Sequence, residues 1–253
     1  MKLIVTIIIV CFSSVFVLAR EEGETEITTE EGIEVFQNEK YYLLKKNVKI
    51  KSDSLILNAD DVKINFNENL YDITELYAKG NVSFDSQEYQ MNGVGNILEF
   101  EVKSQKLKLE GDDSELITQD VEMYSDGIIK VNNLNGKFSL NGLNSKLVSE
   151  NILIKAKSID GIFSDISNSK QINLLNVVDE KISYIKNNDI EMYAKKINYN
   201  SDTSIIELID EVTIIRNEER ITGDYGTLDT SNNSYKIKSN NQNKVRVLIE
   251  NNE

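Results

Sequence analysis

Residues 47–59, "NVKIKSDSLILNA", have a pattern that the chain contains twice more. The further copies are "NVSFDSQEYQMNG" at residues 81–93 and "EVTIIRNEERITG" at residues 211–223. In each copy a Val is followed two residues later by Ile or Phe, and eleven residues later by Ala or Gly. Apolar side chains at every second position are typical of half-buried β-strands. The three copies therefore predict three similar β-hairpins.

A polar turn between two strands explains the spacing. A four-residue turn at "KSDS", residues 51–54, brings the apolar residues on its two sides opposite one another. Cross-strand neighbours point to the same face, so each hairpin has one apolar and one polar face. The small residue that ends each copy leaves room for a neighbouring backbone or bulky side chain. The predicted cross-strand pairs are Val48–Leu57, Ile50–Leu55, Val82–Met91 and Val212–Ile221.

The repeat extends beyond the hairpins. Residues 82–109 align with residues 212–239 without a gap, and looser copies occur in "ILIKAKSI" at 152–159 and "IEMYAKKINY" at 190–199. Units of this size cannot bury their apolar faces alone and must stack on one another. The sequence thus predicts an elongated all-β structure of repeated short strands. Either a folded-over sheet or a β-solenoid satisfies this periodicity.

Composition excludes several classes of function. The chain has no His, and its one Cys is Cys11, so zinc sites of Cys and His, Ser-His-Asp triads and Cys-His dyads are excluded. A net charge of −14 without a basic run argues against nucleic-acid binding. The acidic clusters "GDDSE" (111–115) and "NEE" (217–219) are predicted to be solvated turns, and "GDDSE" lacks the spacing of a calcium loop. A carboxylate-based glycosidase is the remaining enzymatic alternative, and no metal site is predicted.

The first residues have the pattern of an export signal. Lys2 is followed by an apolar run that ends at Ala19, with Val17 and Ala19 where a signal peptidase prefers small residues. We expect cleavage after Ala19, with retention as a membrane anchor as the alternative. Residues 20–32 are predicted to be a flexible acidic lead-in. Since no Pro or Gly/Ser-rich linker follows, residues 33–253 are predicted to be one domain.

Two longer stretches, "LYAKGNVSFDSQEYQMNGVGNILEF" (76–100) and "ITGDYGTLDTSNNSYKIKS" (221–239), resemble the OstA-like family of periplasmic lipopolysaccharide-transport proteins, which includes the soluble bridge LptA and the anchored LptC. The resemblance implies a β-jelly-roll folded over like a taco, with open ends and an apolar groove for acyl chains. It also implies end-to-end strand addition between Lpt-type proteins, linking an inner-membrane transporter to the outer-membrane translocon. Such proteins have no catalytic centre and need no cofactor.

The expected function is therefore periplasmic transport of lipopolysaccharide or a related lipid. A structural β-solenoid or surface adhesin with a sealed core is the alternative, because apolar side chains that fill a core have the same pattern as those that line a groove. Strand addition is expected at "YYLLKKNVKI" (41–50) and "KVRVLI" (244–249). The residues expected to line the lipid groove are Val48, Ile50, Leu57, Val82, Phe84, Met91, Ile154, Met192, Val212, Ile214 and Ile221.

Overall fold

In the computed structural model, the described residues are 23–68, 72–150, 152–166, 169–239 and 244–249. Within these ranges every regular element is a β-strand, and all strand pairs are antiparallel, so the predicted all-β class is confirmed. An antiparallel meander is not a solenoid, and the folded-over sheet is thus the correct alternative. The predicted export signal, residues 1–19, lies outside the described residues.

Eighteen strands follow one another along the described chain. They are β1 (Glu26–Thr28), β2 (Gly32–Phe36), β3 (Tyr41–Lys51), β4 (Leu55–Phe66), β5 (Ile73–Ser86), β6 (Met91–Glu101), β7 (Lys106–Glu110), β8 (Ser114–Thr118), β9 (Val121–Ser125), β10 (Ile128–Asn132), β11 (Lys137–Ser149), β12 (Ile152–Ile166), β13 (Ser169–Asn187), β14 (Ile190–Asn200), β15 (Ile205–Arg216), β16 (Glu219–Asp229), β17 (Ser234–Lys238) and β18 (Arg246–Ile249).

Most strands are longer than predicted, because each long strand is two short ladders joined by a bulge. Strands β3–β6 and β11–β16 have 11 to 19 residues, and their pairing loses register near the middle. Bulges of this kind bend a strand. Because the bulges of successive strands are aligned, they form a crease along the whole sheet.

The crease gives a physical reason for the Asn-Val pattern of the repeat. Two residues in succession have positive φ just before the Val: Lys46 and Asn47 at 63° and 51°, and Gly80 and Asn81 at 76° and 47°. Gly and Asn adopt this left-handed conformation more readily than other residues. The third copy has Asp210 and Glu211 there, at 62° and 54°. The positions at which the three predicted hairpins begin therefore mark bends within longer strands.

The crease divides the sheet into two layers. Layer A contains β2, β7, β10, β17 and the halves of the long strands that pair with them; layer B contains β1, β8, β9, β18 and the other halves. Each layer buries one face, and the buried side chains of both form one apolar cluster. With no helix among the described residues to cover these faces, the layers must cover each other. The result is a folded-over sheet whose inner face is apolar.

The predicted hairpin register is wrong by two residues in the first and third copies and by four in the second. Ile50, and not Val48, lies opposite Leu57; Val82 lies opposite Gly95, and Val212 opposite Gly223. The position of the turns is the reason, since the ladders close later in the chain than predicted: at Lys51–Ile56 and Ser86–Met91 around four residues, and at Arg216–Glu219 around two. The gapless alignment of 82–109 with 212–239 is therefore shifted after the turn. Because a shift by an even number of residues preserves the face of every side chain, the predicted apolar faces are correct.

The ends of the sheet also differ from the prediction. Strand β3, expected to be an edge at Tyr41, is covered by β1 and β2, so these short strands form the first edge. Strand β1 falls within residues 20–32, where only a flexible lead-in was expected. At the other end β17 and β18 pair only with β16 among the described strands, which confirms an edge at residues 244–249. The sheet is open at both ends.

Candidate lipid-binding groove

All eleven predicted groove residues lie on the inner face of layer B. Ten belong to the buried apolar cluster, with exposures of 0 to 6%, and Ile221 is half-buried. The structure thus brings together side chains from β3 to β16 that are up to 173 positions apart in the sequence (Val48 to Ile221).

One cross-strand row runs along the inner face of layer B from the first edge to the last. Each member lies directly opposite the next on a neighbouring strand. At about 4.8 Å per strand, the row is about 60 Å long. It consists of Ile27, Ile50, Leu57, Phe84, Gly93, Leu116, Met123, Leu147, Ile154, Ile185, Met192, Ile214, Ile221 and Val247.

A second row of the same kind runs along layer A, and sequence reasoning missed it entirely. The signal was available, because "KLKLE" (106–110) and "KFSLN" (137–141) alternate as clearly as the repeats do. Both stretches lie outside the three matched hairpins, although most of the first falls within the longer alignment of 82–109 with 212–239. The row consists of Val35, Tyr42, Ile64, Leu76, Phe100, Leu107, Val131, Phe138, Gly161, Leu175, Tyr199, Ile206, Leu228 and Tyr235.

Each row contains one glycine, and in each case a phenylalanine on the adjacent strand covers it. A Cβ on Gly93 would lie 2.7 Å from the Phe84 ring, and a Cβ on Gly161 would lie 2.4 Å from the Phe138 ring. Phe138 also stacks on Phe163, with ring centroids 4.2 Å apart. The apolar surface is therefore continuous across both glycines, and the predicted role of a small residue as space for a bulky neighbour is confirmed at Gly93.

The middle and the ends of the inner face differ in exposure. Leu147, Ile154 and Ile185 in the middle are fully buried. At the first edge Val35 points inward opposite Tyr42 yet is 46% exposed, and at the last edge Val247 points inward opposite Ile221 yet is 48% exposed. The apolar interior therefore opens to solvent at both ends. The exposed residue at the first end, Val35, belongs to layer A, and the one at the last end, Val247, belongs to layer B.

The free edge of layer B, where its turns lie, is lined with small polar side chains. Ser86, Thr118, Ser149 and Asn187 are buried there, on the inner face next to the turns. The Thr118 hydroxyl accepts a hydrogen bond from the Val121 backbone N–H at 3.1 Å, which closes the β8–β9 turn. The same turn contacts layer A, since the backbone N–H of Lys170 donates to the Asp120 carboxylate at 2.7 Å. The inner face of layer B is thus apolar, and its edge at the turns is polar.

The outer faces hold the charged groups. On layer B, Tyr124, Lys146, Lys155, Tyr184 and Tyr193 form one cross-strand row, with the Lys146 ammonium 3.7 Å from the centre of the Tyr124 ring. Tyr124 donates to the Glu122 carboxylate at 2.8 Å, and this bond together with burial raises the pKa of Tyr124 to about 12. These contacts stabilise a solvent-facing surface and form no reactive centre.

The acidic clusters supply no metal site. Asp112 and Asp113 are exposed in the turn before β8, as predicted, whereas Glu115 and Glu219 belong to strands and not to loops. In the described part of the chain no three His, Cys, Asp or Glu side chains are grouped so that they could hold a metal ion. The same part contains no helix of the length and apolarity needed to cross a membrane.

Comparison with known families agrees with this architecture. A family model described as "LptA/(LptD N-terminal domain) LPS transport protein" matches the chain twice, over residues 31–132 and 129–234. The two matches meet in β10, where layer A passes from β7 to β11. One continuous sheet therefore contains two copies of the family's repeat in tandem.

Among solved structures, the chain is similar to LptH, the LptA-homologous periplasmic component of the lipopolysaccharide transport device of Pseudomonas aeruginosa. The identity is 13% and the TM-score 0.42, over 53% of this chain and 96% of LptH. No curated protein sequence matches the chain. The family matches extend over most of the chain and confirm the resemblance noted in the sequence. The chain belongs to the lipopolysaccharide-transport family of LptA and the LptD N-terminal domain.

Proposed function

We propose that the chain is a non-enzymatic periplasmic carrier that binds the acyl chains of lipopolysaccharide on its inner face and bridges the inner and outer membranes. The observation that supports this most directly is the pair of unbroken apolar rows that open to solvent at both ends. A sealed structural core has no need of inward-pointing valines that are half exposed. A structural adhesin with a sealed core therefore gives no reason for the exposure of these two valines.

Transport along this surface needs no chemical step. Burial of apolar area stabilises a bound acyl chain by about 25 cal/mol per Å² wherever it lies on the row. Because the rows are apolar along their length, an acyl chain that moves from one strand to the next exchanges one set of apolar contacts for a similar set. Direction must then come from elsewhere, and an inner-membrane transporter is the proposed source.

Tandem copies also bear on the length of the bridge. Each family match covers about half of the sheet, and β7–β10 join the two halves through backbone hydrogen bonds. We expect further Lpt-type proteins to add at β1 and β2 and at β17 and β18 by the same strand pairing. The outer-membrane translocon is the proposed acceptor at one end.

A matched pair of variants tests lipid binding at the ends. Val35→Asp and Val247→Asp place charges on the inner face, whereas Ile56→Asp changes an outer-face residue of similar exposure, 41%. We expect added lipid A to displace a bound apolar fluorescent probe poorly from the double inner variant. From Ile56→Asp it should displace the probe as well as it does from the unmodified chain. Equal displacement by all three proteins would refute an acyl-chain site on the inner face.

A further inference from the structure

The outer face of layer A is concave and forms a trough of about 1470 Å³ that crosses the sheet from β4 to β15. Outward-pointing side chains of these strands line it, as Glu99 and Glu101 do on β6, and on most strands the residue between them, such as the half-buried Phe100, lines it too. The trough therefore lies on the opposite side of the sheet from the apolar rows. Its volume exceeds the ~300–1,000 Å³ of small-molecule pockets, so it suits an extended ligand.

Lysines gather at the centre of the trough. Lys106 and Lys108 on β7, Lys130 on β10 and Lys137 on β11 all line it, in a chain whose net charge is −14. The first two are neutralised: Lys106 lies 3.4 Å from the Glu101 carboxylate, and Lys108 pairs with Glu99 at 3.2 Å and with Glu110. The cluster lies at the joint between the two family repeats.

The other two lysines have no acidic partner among the described residues. Lys130 lies directly opposite Lys108, a pairing of like charges that destabilises a sheet. Lys137 is a diagonal neighbour of Lys130, because Ser139 is the residue opposite Lys130. Two ammonium groups without an ion-pair partner on adjacent strands produce a local positive potential, which favours an anionic group.

The surroundings of these lysines favour a sugar as the bearer of that anion. Ser139, Asp160 and Asn176 continue the row from Lys130 across three strands. Hydroxyl and amide groups bind sugar hydroxyls, and the partly exposed Ile162 and Leu174 beside them offer an apolar surface to a sugar ring.

We infer that the trough binds an anionic oligosaccharide, with Lys130 and Lys137 on its phosphate or carboxylate groups and Ser139 and Asn176 on its hydroxyls. This inference rests on the proposed function for the source of the ligand, the saccharide part of the transported lipid or a free glycan of the same chemistry. The two surfaces of layer A then have separate tasks: the inner face takes acyl chains and the outer face takes sugars.

Calorimetric titration of the full chain with fully deacylated lipopolysaccharide, which keeps its anionic sugars, tests the trough alone. Lys130→Gln with Lys137→Gln should weaken binding about tenfold or more, because each substitution removes a charge-assisted hydrogen bond to the anion. The control is Lys49→Gln with Lys51→Gln, which removes the same charge from two exposed lysines on the outer face of layer B. Circular dichroism checks that all variants fold.

Each outcome decides the question. Binding that is lost in the trough variant, retained in the control and weakened by dephosphorylation of the ligand supports the inference. Full binding by the trough variant, or none by the unmodified chain, overturns it, while acyl-chain binding at Val35 and Val247 stays intact as a separate result. Inorganic phosphate that competes at equal molar concentration would overturn the assignment to a saccharide.

Discussion

The middle and the two ends of the inner face contain the same kinds of side chain but expose them differently. Leu147 in the middle is fully buried, whereas Val247, in the same cross-strand row, is 48% exposed. Both are apolar and both point inward. The difference lies in what covers them, since layer A lies over the middle and the sheet simply stops at β18. Exposure, and with it access for a lipid, is set by position in the sheet and not by residue type.

Truncation of an inner residue should have its largest effect in the middle. Leu147→Ala leaves a cavity among fully buried neighbours and should lower the free energy of unfolding by about 2–5 kcal/mol. Val247→Ala should change it by less than about 1 kcal/mol, because the side chain is half in water. Urea unfolding followed by circular dichroism measures both. Equal losses would show that the two regions are packed alike.

The covered glycines give a second contrast. At Gly161, in the middle, a Cβ would lie 2.4 Å from the Phe138 ring and 2.5 Å from the Leu174 carbonyl oxygen, which cannot move without the strand. At Gly226, near the last edge, the nearest atoms are side-chain methyl groups of Val212 and Leu208, at 3.1 and 3.4 Å.

We expect Gly161→Ala to lower the free energy of unfolding by about 1–3 kcal/mol and Gly226→Ala by clearly less. Thermal unfolding of the two variants side by side is the measurement. A Gly226→Ala variant that is the less stable of the two would mean that the end is packed more tightly than the middle.

The crease is common to the middle and the ends, and Asn81 tests it. Asn81 has a φ of 47°, and its side-chain amide donates to the Asp60 carboxylate at 2.9 Å. Asn81→Val should cost about 1–2 kcal/mol, because a β-branched residue is strained in this conformation. Asn92→Val, on the exposed face of β6, is the control and should be nearly neutral, since Val suits a strand. Chemical unfolding of both proteins distinguishes the bend from a general intolerance of Val.

The smallest effect is expected at alkaline pH on the outer face of the middle. The Glu122 carboxylate and burial raise the pKa of Tyr124 from 10.0 to about 12. The folded state favours the protonated phenol, so this stabilisation is present below pH 10 and is lost as the pH rises to about 12. Tyrosinate absorbance after a rapid pH jump should therefore show a component near pH 12 that Tyr124→Phe lacks. A difference between the two proteins that titrates near pH 10 would contradict the hydrogen bond.

Sequence alternation was sufficient for the fold class and for one face of one layer. Period-two patterns predict which face a side chain occupies, and this is why the eleven groove residues share a face despite a wrong register. Register itself depends on turn length, and the two-residue turn after Arg216 cannot be distinguished from the four-residue turn after Ser86 by apolar spacing alone.

Layer A and the exposed ends could not be predicted from the repeat. The three matched copies of the repeat cover strand halves in layer B, whereas Val35 and Phe138 belong to layer A. The left-handed pair at Lys46 and Asn47 resembles a strand start in sequence, and only the structure shows a single bent strand. The exposure of an edge residue depends on where the complete sheet ends, and a local sequence pattern does not show this.

Site-specific photo-crosslinking to acylated lipopolysaccharide measures whether the inner face of the sheet carries lipid. A photoreactive residue is placed at Val35 and Val247 at the ends, at Met91 in the buried interior, and at Ile56 on the outer face as the control. We expect lipid adducts at Val35 and Val247 at once, adducts at Met91 after longer incubation as lipid moves inward, and none at Ile56. Adducts at Ile56 equal to those at Val35, or no adduct at any inner position, would contradict an apolar inner face that carries lipid.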